Sequence, residues 1–258
     1  MNYQKELALL KLHVPRIYGE VESKNKTVSF KSGDEIVTTT DLYIESNLIK
    51  VILEHFPTDT FLSEEFHKDG LLQNRTWMID PIDGTSNYAV DLNIYVVQIA
   101  LYDQNDLALS FIYYPRDNKT YYAIKGHGAY LNDQRITVTD NKKPSNKMLS
   151  MVGYTIRNSE KTIYEKLLHY AVIENIKLRM LGSIGLELAL TAEGIFTMFY
   201  TNVKNLWDLA PGVLLAREAK ALVFNESGKD YQIGDTHLFV SKNEAFKAKM
   251  LETIINDK

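Results

Sequence analysis

In the segment Trp77-Met78-Ile79-Asp80-Pro81-Ile82-Asp83-Gly84-Thr85, an apolar run ends abruptly in two aspartates three residues apart. A hard divalent cation such as Mg2+ wants oxygen ligands in near-octahedral geometry. Two carboxylates on a stiff turn at a strand end supply them and leave positions for water and an anion. Pro81 stiffens that turn, and Gly84 permits close approach of the backbone. A helix starting just after Thr85 would aim its free N–H groups at the same place, which is how helix N-termini hold phosphate. Asp-Pro and Asp-Gly are also ordinary turn dipeptides, so the pair by itself leaves both readings open.

Three further acidic positions bear on the choice. Ser63-Glu64-Glu65-Phe66 follows the apolar Phe61-Leu62 and puts a carboxylate pair at a second strand end, although a solvated loop has the same composition. Asp41 falls in the first turn of an expected helix, where a carboxylate also serves simply to stabilise the N-terminus. Trp207-Asp208 precedes a helix with Pro211 expected in its first turn, a place where Asp208 would serve equally as an N-cap.

Other chemistries are excluded or disfavoured. The chain has no cysteine, which removes disulfides, thiolate catalysis and Cys-ligated metal sites. The six histidines (13, 55, 67, 127, 169, 237) lack metal-like i, i+4 pairing, and nothing around them cradles a phospho-histidine. A net charge of -4 argues against general nucleic-acid binding, which needs a Lys/Arg surplus on at least one face. With 45% hydrophobic and 24% charged residues the composition is that of an ordered globular chain. The N-terminal residues carry no apolar signal-like core, and no run is long enough to span a bilayer, so cytoplasmic residence is expected.

Apolar periodicity supplies the elements that must position these residues. A helix is expected over 2–22, kinked or ended at Pro15, and a second over about 39–56, opened by Thr38 with Asp41 and stopped at Pro57. Short apolar runs at 59–63, 76–79, 94–102, 107–114 and 120–124 predict a largely antiparallel sheet. Beyond 147, strands near 148–153, 176–180, 195–200, 221–224 and 236–240 alternate with helices at 159–173, 183–193, 208–219 and from 243. The chain therefore reads as mixed α/β, without repeat or flexible linker. It forms a single domain over 1–258, with subregions 1–145 and 146–258 joined by a packed boundary near 145.

Five blocks together resemble the inositol monophosphatase family of metal-dependent sugar phosphatases. They are Glu35-Ile36-Val37-Thr38-Thr39-Thr40-Asp41, Ser63-Glu64-Glu65, Trp77 to Thr85, Arg179-Met180-Leu181-Gly182-Ser183, and Trp207-Asp208-Leu209-Ala210-Pro211-Gly212. The resemblance covers essentially the whole chain. It implies the five-layered αβαβα sandwich shared with fructose-1,6-bisphosphatase, and a Mg2+-dependent, lithium-sensitive phosphomonoesterase. It places a first metal on Glu64, Asp80 and the Ile82 carbonyl, a second on Asp80, Asp83 and Asp208, and a weaker third near Glu64. It makes Asp41 and Thr85 the pair that orients and deprotonates the attacking water, assisted by Glu64 through its metal. Phosphate and sugar contacts are implied at Asp83, Gly84, Thr85, Ser86, Gly182, Ser183, Ile184, Thr201 and Asp208. A homodimer is implied too, and the tyrosines at 95, 102, 113, 114, 121 and 122 offer surface for one.

The chain departs from the inositol-specific pattern at three positions. Thr201 stands seven residues before Asp208 where those members place a glutamate, Ile184 stands where a small alanine is usual, and Asn205 replaces a common histidine. Losing a charged acceptor for a buried ring hydroxyl forfeits about 1.5–3 kcal/mol. The expected substrate is therefore an inositol monophosphate or a related sugar phosphate. Fructose 1,6-bisphosphate and the 2′-phosphate of NADP are alternatives, and 3′-phosphoadenosine 5′-phosphate is less favoured. Lys204, close to Trp207, reads first as an exposed turn lysine, with contact to a second phosphate as the less favoured alternative. A reading of another class is a non-catalytic binding partner in a transcription complex, since certain bacterial members of the family also act in such complexes, independently of phosphatase activity.

Overall fold

The computed structural model describes residues 2–22, 27–30, 36–139, 147–153 and 162–255. Glu35 and the expected boundary near 145 lie outside the described residues. The chain begins with α1 (Gln4–Glu22), a two-stranded ribbon of β1 (Val28–Phe30) and β2 (Ile36–Thr38), and α2 (Thr39–His55). Next come β3 (Thr60–Ser63), β4 (Thr76–Asp83), the short α3 (Thr85–Ala89), β5 (Val96–Asp103) and β6 (Asp106–Tyr114). β7 (Lys119–Ile124), β8 (Gly128–Leu131) and β9 (Gln134–Ile136) complete a seven-stranded sheet ordered β3-β4-β5-β6-β7-β8-β9. Only β3 and β4 pair in parallel there.

The second half adds β10 (Met148–Val152), α4 (Ile163–Ile173), β11 (Lys177–Arg179), α5 (Ile184–Ala192) and β12 (Met198–Thr201). It closes with α6 (Leu206–Glu218), β13 (Leu222–Phe224), β14 (Leu238–Ser241) and α7 (Glu244–Ile255). Its strands form a five-stranded sheet ordered β11-β10-β12-β14-β13.

Side-chain alternation along the strands builds the layers, because successive residues point to opposite faces. On β4, Trp77 and Ile79 join Leu10, Ile17, Ile44 and Leu48 of α1 and α2, while Met78 faces α5 and α6. On the smaller sheet, Val152, Phe199 and Val240 face the same two helices, and Met151, Tyr200 and Phe239 pack outward against α4 and α7. The result is an αβαβα sandwich of five layers in which α5 and α6 are the shared middle. Among the described residues no helix is long and apolar enough to cross a membrane.

Several sequence expectations need correction. Pro15 does not end the first helix, since α1 runs through it. A mid-helix proline costs about 3 kcal/mol, but the buried stripe Leu10, Val14, Ile17, Tyr18 and Val21 is continuous across it. β8 and β9 were not expected, β8 being only four residues long and β9 short and polar. α6 begins at Leu206, which puts Asp208 inside its first turn and Pro211 in its second. The tyrosines proposed as dimer surface are interior: Tyr95, Tyr113, Tyr114, Tyr121 and Tyr122 are all buried within the chain.

Candidate active site

The aspartate pair depends on a defect in the sheet. β4 and β5 are in register at Asp80 with Gln98 and again at Asp83 with Val96, so three steps on one strand match two on the other. In a regular strand, residues three apart point to opposite faces. The extra residue of the bulge reverses the parity, and Asp83 emerges on the same side as Asp80, toward α5. Pro81, which has no N–H to give to a ladder, sits inside the bulge.

Other elements bring three more carboxylates. Glu64 follows β3 and its N–H bonds the Ile79 carbonyl at 3.1 Å, which sets it beside the end of β4. Asp208 stands in the first turn of α6, where the Asn205 amide donates to it at 3.2 Å. Asp41 closes the capping box of α2: the Thr38 N–H donates to Asp41 Oδ2 at 2.9 Å and the Thr38 hydroxyl donates to the same oxygen. The Thr85 hydroxyl lies 3.3 Å from Asp41 Oδ1 and 2.8 Å from the Ile82 carbonyl, so its single proton has two acceptors.

These groups surround one cavity of about 520 Å3, lined by Glu64, Asp80, Ile82, Asp83, Gly84, Thr85, Ser86, Gly182, Ile184 and Asp208, with Ile36, Val152 and residues 202–205 completing the wall. Gly84 has φ +100°, and a Cβ there would stand 3.0 Å from the Ile94 carbonyl oxygen and 3.2 Å from that of Gly182, so only glycine fits the turn. Asp41 lies just behind Thr85, fully buried. Two expected contacts are elsewhere. Ser183 is fully buried and spends its hydroxyl on Asp83 at 2.6 Å. Thr201 is fully buried beneath the wall, its hydroxyl accepting the Val203 N–H at 3.2 Å.

The electrostatics are those of crowded anions. Burial raises Asp80 and Asp208 well above the ordinary carboxylate range, and their acidic neighbours push the same way: Glu64, Asp83 and Asp208 on Asp80, and Asp83 and Glu64 on Asp208. Burial lifts Asp83 to about 6, against hydrogen bonds from the Ser183 hydroxyl and the Gly185 and Ile184 N–H groups. Burial lifts Asp41 to about 7, with the Thr38 bonds opposing. Among the described residues, Asp80, Asp83 and Asp208 form no ion pair, and Asp80 Oδ1 is buried without any hydrogen-bond donor. A divalent cation suits this donor set, which is all oxygen, anionic and short of positive charge. No three acidic or histidine side chains among the described residues converge as a finished ligand set. Asp83 has both oxygens engaged on the 183–185 turn.

Gln98 was not anticipated. Its side chain donates to Asp80 Oδ2 at 3.3 Å and to the Asp208 carbonyl at 3.2 Å, joining β4 to α6. The one signal was a lone amide inside the run Val96-Val97-Gln98-Ile99-Ala100. Asn202 and Val203 carried no signal, since only the fold brings that loop to the cavity.

Comparison with known proteins gives a consistent picture. The sequence model described as the inositol monophosphatase family matches residues 7–256. The inositol monophosphatase of Dictyostelium discoideum is 33% identical over 221 residues, covering 83% of this chain and 80% of that protein. A protein of Thermotoga maritima named fructose-1,6-bisphosphatase/inositol-1-monophosphatase is 31% identical, covering 86% and 81%. A Nus factor SuhB of Pasteurella multocida is 29% identical, covering 81% and 79%. In three dimensions, a Thermotoga maritima IMPase superposes with a TM-score of 0.82 at 24% identity over 98% of both chains. An IMPase/NADP phosphatase complexed with NADP and Ca2+ superposes with a TM-score of 0.86 at 22% identity, covering 100% of this chain and 97% of that one.

Proposed function

The chain belongs to the inositol monophosphatase family of phosphomonoester hydrolases, and from that premise we propose that the cavity binds Mg2+ and hydrolyses an inositol monophosphate or a related small sugar phosphate. The observation that carries this reading is the cavity in which Asp80, Asp83 and Asp208 meet Glu64: burial, and then their acidic neighbours, hold Asp80 and Asp208 above the ordinary carboxylate range, and among the described residues Asp80, Asp83 and Asp208 have no ion-pair partner. Glu64, Asp80, Asp83, Asp208 and the Ile82 carbonyl are the groups that would hold the metal. When bound, Mg2+ supplies the positive charge that a phosphate dianion needs against an incoming nucleophile, and makes water more acidic.

The chain's own groups then have distinct tasks. Asp41, poised near neutrality, accepts a proton handed on by the Thr85 hydroxyl, which faces the cavity. Gly84, Thr85 and Ser86 offer backbone and hydroxyl donors to the phosphate at the start of α3. Ile184 and Val152 give the substrate an apolar wall. The absence of a glutamate at position 201 removes one acceptor for sugar hydroxyls, and Asn202 and Asn205 take over the rim.

A second substrate reading is favoured by Lys204, which lines the same cavity: a molecule with a second anionic group, such as fructose 1,6-bisphosphate or NADP. Relatives bearing both activities in their names support it. The likeness to a Nus factor supports an added role in a transcription complex. Two Mg2+ per site with a weaker third, a homodimer, cytoplasmic residence and the absence of general nucleic-acid binding extend the same reading, the last resting on the net charge of -4. The test is phosphate release with and without Mg2+ from inositol 1-phosphate, fructose 1,6-bisphosphate, NADP and 3′-phosphoadenosine 5′-phosphate, beside Asp83→Asn. Metal-dependent turnover of one ester, lost in the variant, supports the reading. Folded protein that binds Mg2+ and cleaves none of them refutes it for this panel.

A further inference from the structure

Two glutamates outside the metal set are fully buried, and both do the same thing. Glu45, on α2, accepts the Ser63 hydroxyl at 2.5 Å and the N–H groups of Glu65 at 2.9 Å and Phe66 at 2.8 Å. Those three donors bracket Glu64 on the turn after β3. Glu187, on α5, accepts the Leu181 N–H at 2.7 Å, the Gly182 N–H at 3.0 Å and the Ser150 hydroxyl. The turn it ties down continues into Ser183, Ile184 and Gly185, whose hydroxyl and N–H groups fix both oxygens of Asp83. In each case a helix-borne carboxylate gathers one serine hydroxyl and two consecutive backbone N–H groups, and the tethered turn presents or grips one cavity carboxylate.

We propose that Glu45 and Glu187 are positioning residues that hold the turns of Glu64 and Asp83 in the arrangement a divalent cation requires. A carboxylate is the side chain suited to this task, because both oxygens accept and neither atom donates. At Glu45 each oxygen holds a backbone N–H, so a glutamine would turn its own N–H toward that of Glu65 or Phe66 and lose that tether. At Glu187 one oxygen takes both backbone N–H groups and the other takes the Ser150 hydroxyl, which can also accept, so there only removal of the side chain's polar end breaks the tether. Burying more negative charge beside an already acidic cleft is unfavourable: burial raises Glu45, and lifts Glu187 to about 7. Groups that orient metal ligands without touching the ion typically govern affinity by about 10–100-fold when replaced.

The inference rests on the proposed Mg2+ site, and its test separates the two. Mg2+ binding is measured by isothermal titration calorimetry, and Mg2+-dependent phosphate release in parallel, on the full chain and on Glu45→Gln, Glu187→Leu, Ser63→Ala and Ser150→Ala. The expected result is a Mg2+ dissociation constant raised about 10–100-fold in the two glutamate variants and by less in the serine variants, with kcat at saturating Mg2+ within a few-fold of the parent. Should a glutamate variant fail to fold, its serine counterpart decides the matter through the milder loss. Folded variants that melt earlier yet bind Mg2+ as the parent does would show the glutamates to be structural only and overturn the proposal. A parent chain that neither binds Mg2+ nor releases phosphate removes the metal site itself, and the positioning role with it.

Discussion

Strand β4 begins and ends among carboxylates, and its two ends treat them in opposite ways. At the start, Arg75 draws in Asp59 at 2.8 and 3.0 Å, Glu6 at 3.0 Å and Asp103 at 3.6 Å, while the Trp77 indole N–H donates to Asp59 at 2.7 Å. At the other end, Asp80 and Asp83 meet Glu64 and Asp208, with a glutamine, a serine and backbone N–H groups as donors and no guanidinium. The residue types are nearly the same. The Arg75 guanidinium makes the first cluster a rivet for α1, β3, β4 and β5, whereas at the second Asp80, Asp83 and Asp208 have no ion-pair partner among the described residues, which is what the proposed Mg2+ site rests on.

The sharpest way to break the comparison is to neutralise one member at each end. Asp80→Asn should lower Mg2+-dependent phosphate release by about 1,000-fold, because several kcal/mol of charge stabilisation disappear. The metal-free variant should melt no earlier than the parent, since a buried repulsive charge is gone. An unchanged rate would end the metal-site reading. Arg75→Ala should do the reverse, destabilising the fold by about 3 kcal/mol by leaving buried carboxylates unpaired, as read by urea unfolding. Whatever remains folded should keep its Mg2+ dissociation constant.

The pH response sharpens the contrast further. Asp83 near 6 and Asp41 near 7 both lie above the ordinary value of 3.8, so between those limits the folded chain holds more protons than the unfolded one. Stability of the metal-free protein should therefore fall as pH rises from about 4 to about 7, measured by thermal melting in EDTA. Saturating Mg2+ should flatten or reverse that slope, because the metal binds the deprotonated form. A slope of the same sign and size with and without Mg2+ would mean that these carboxylates do not meet the ion. Smaller still, Thr38→Ala should cost about 1 kcal/mol by removing the α2 cap, and should also loosen Asp41 and lower kcat more than it changes KM. The smallest effect is expected at Lys204→Ala: a several-fold rise in KM for fructose 1,6-bisphosphate or NADP and none for inositol 1-phosphate, in line with about 1 kcal/mol for an exposed ion pair.

Most elements were legible from periodicity and caps, because those signals come from residues within one or two turns of each other. The helices opened by Thr38 and by Ser183, and the strand ending at Asp80, are of that kind. The five acidic positions could be picked out as types and spacings, and the family likeness joined them into one set. Local signals misjudged Pro15 as a helix stop, where its cost is outweighed by contacts with α2, and Tyr95, Tyr113, Tyr114, Tyr121 and Tyr122 as surface, where their burial depends on layers laid down far along the chain. They missed Gln98, since its bond to the Asp208 carbonyl spans 110 residues.

By itself, then, the sequence determined the kinds of element, the carboxylate inventory and the exclusion of thiol chemistry, because each follows from the side chain or its near neighbours. The tertiary structure alone decided which carboxylates share a cavity and which are riveted by Arg75, that the bulge at Pro81 turns Asp83 to the side of Asp80, and that Glu45 and Glu187 tether the turns above them. Those are outcomes of distance, burial and strand parity, and they exist only once segments remote in the chain are packed against one another.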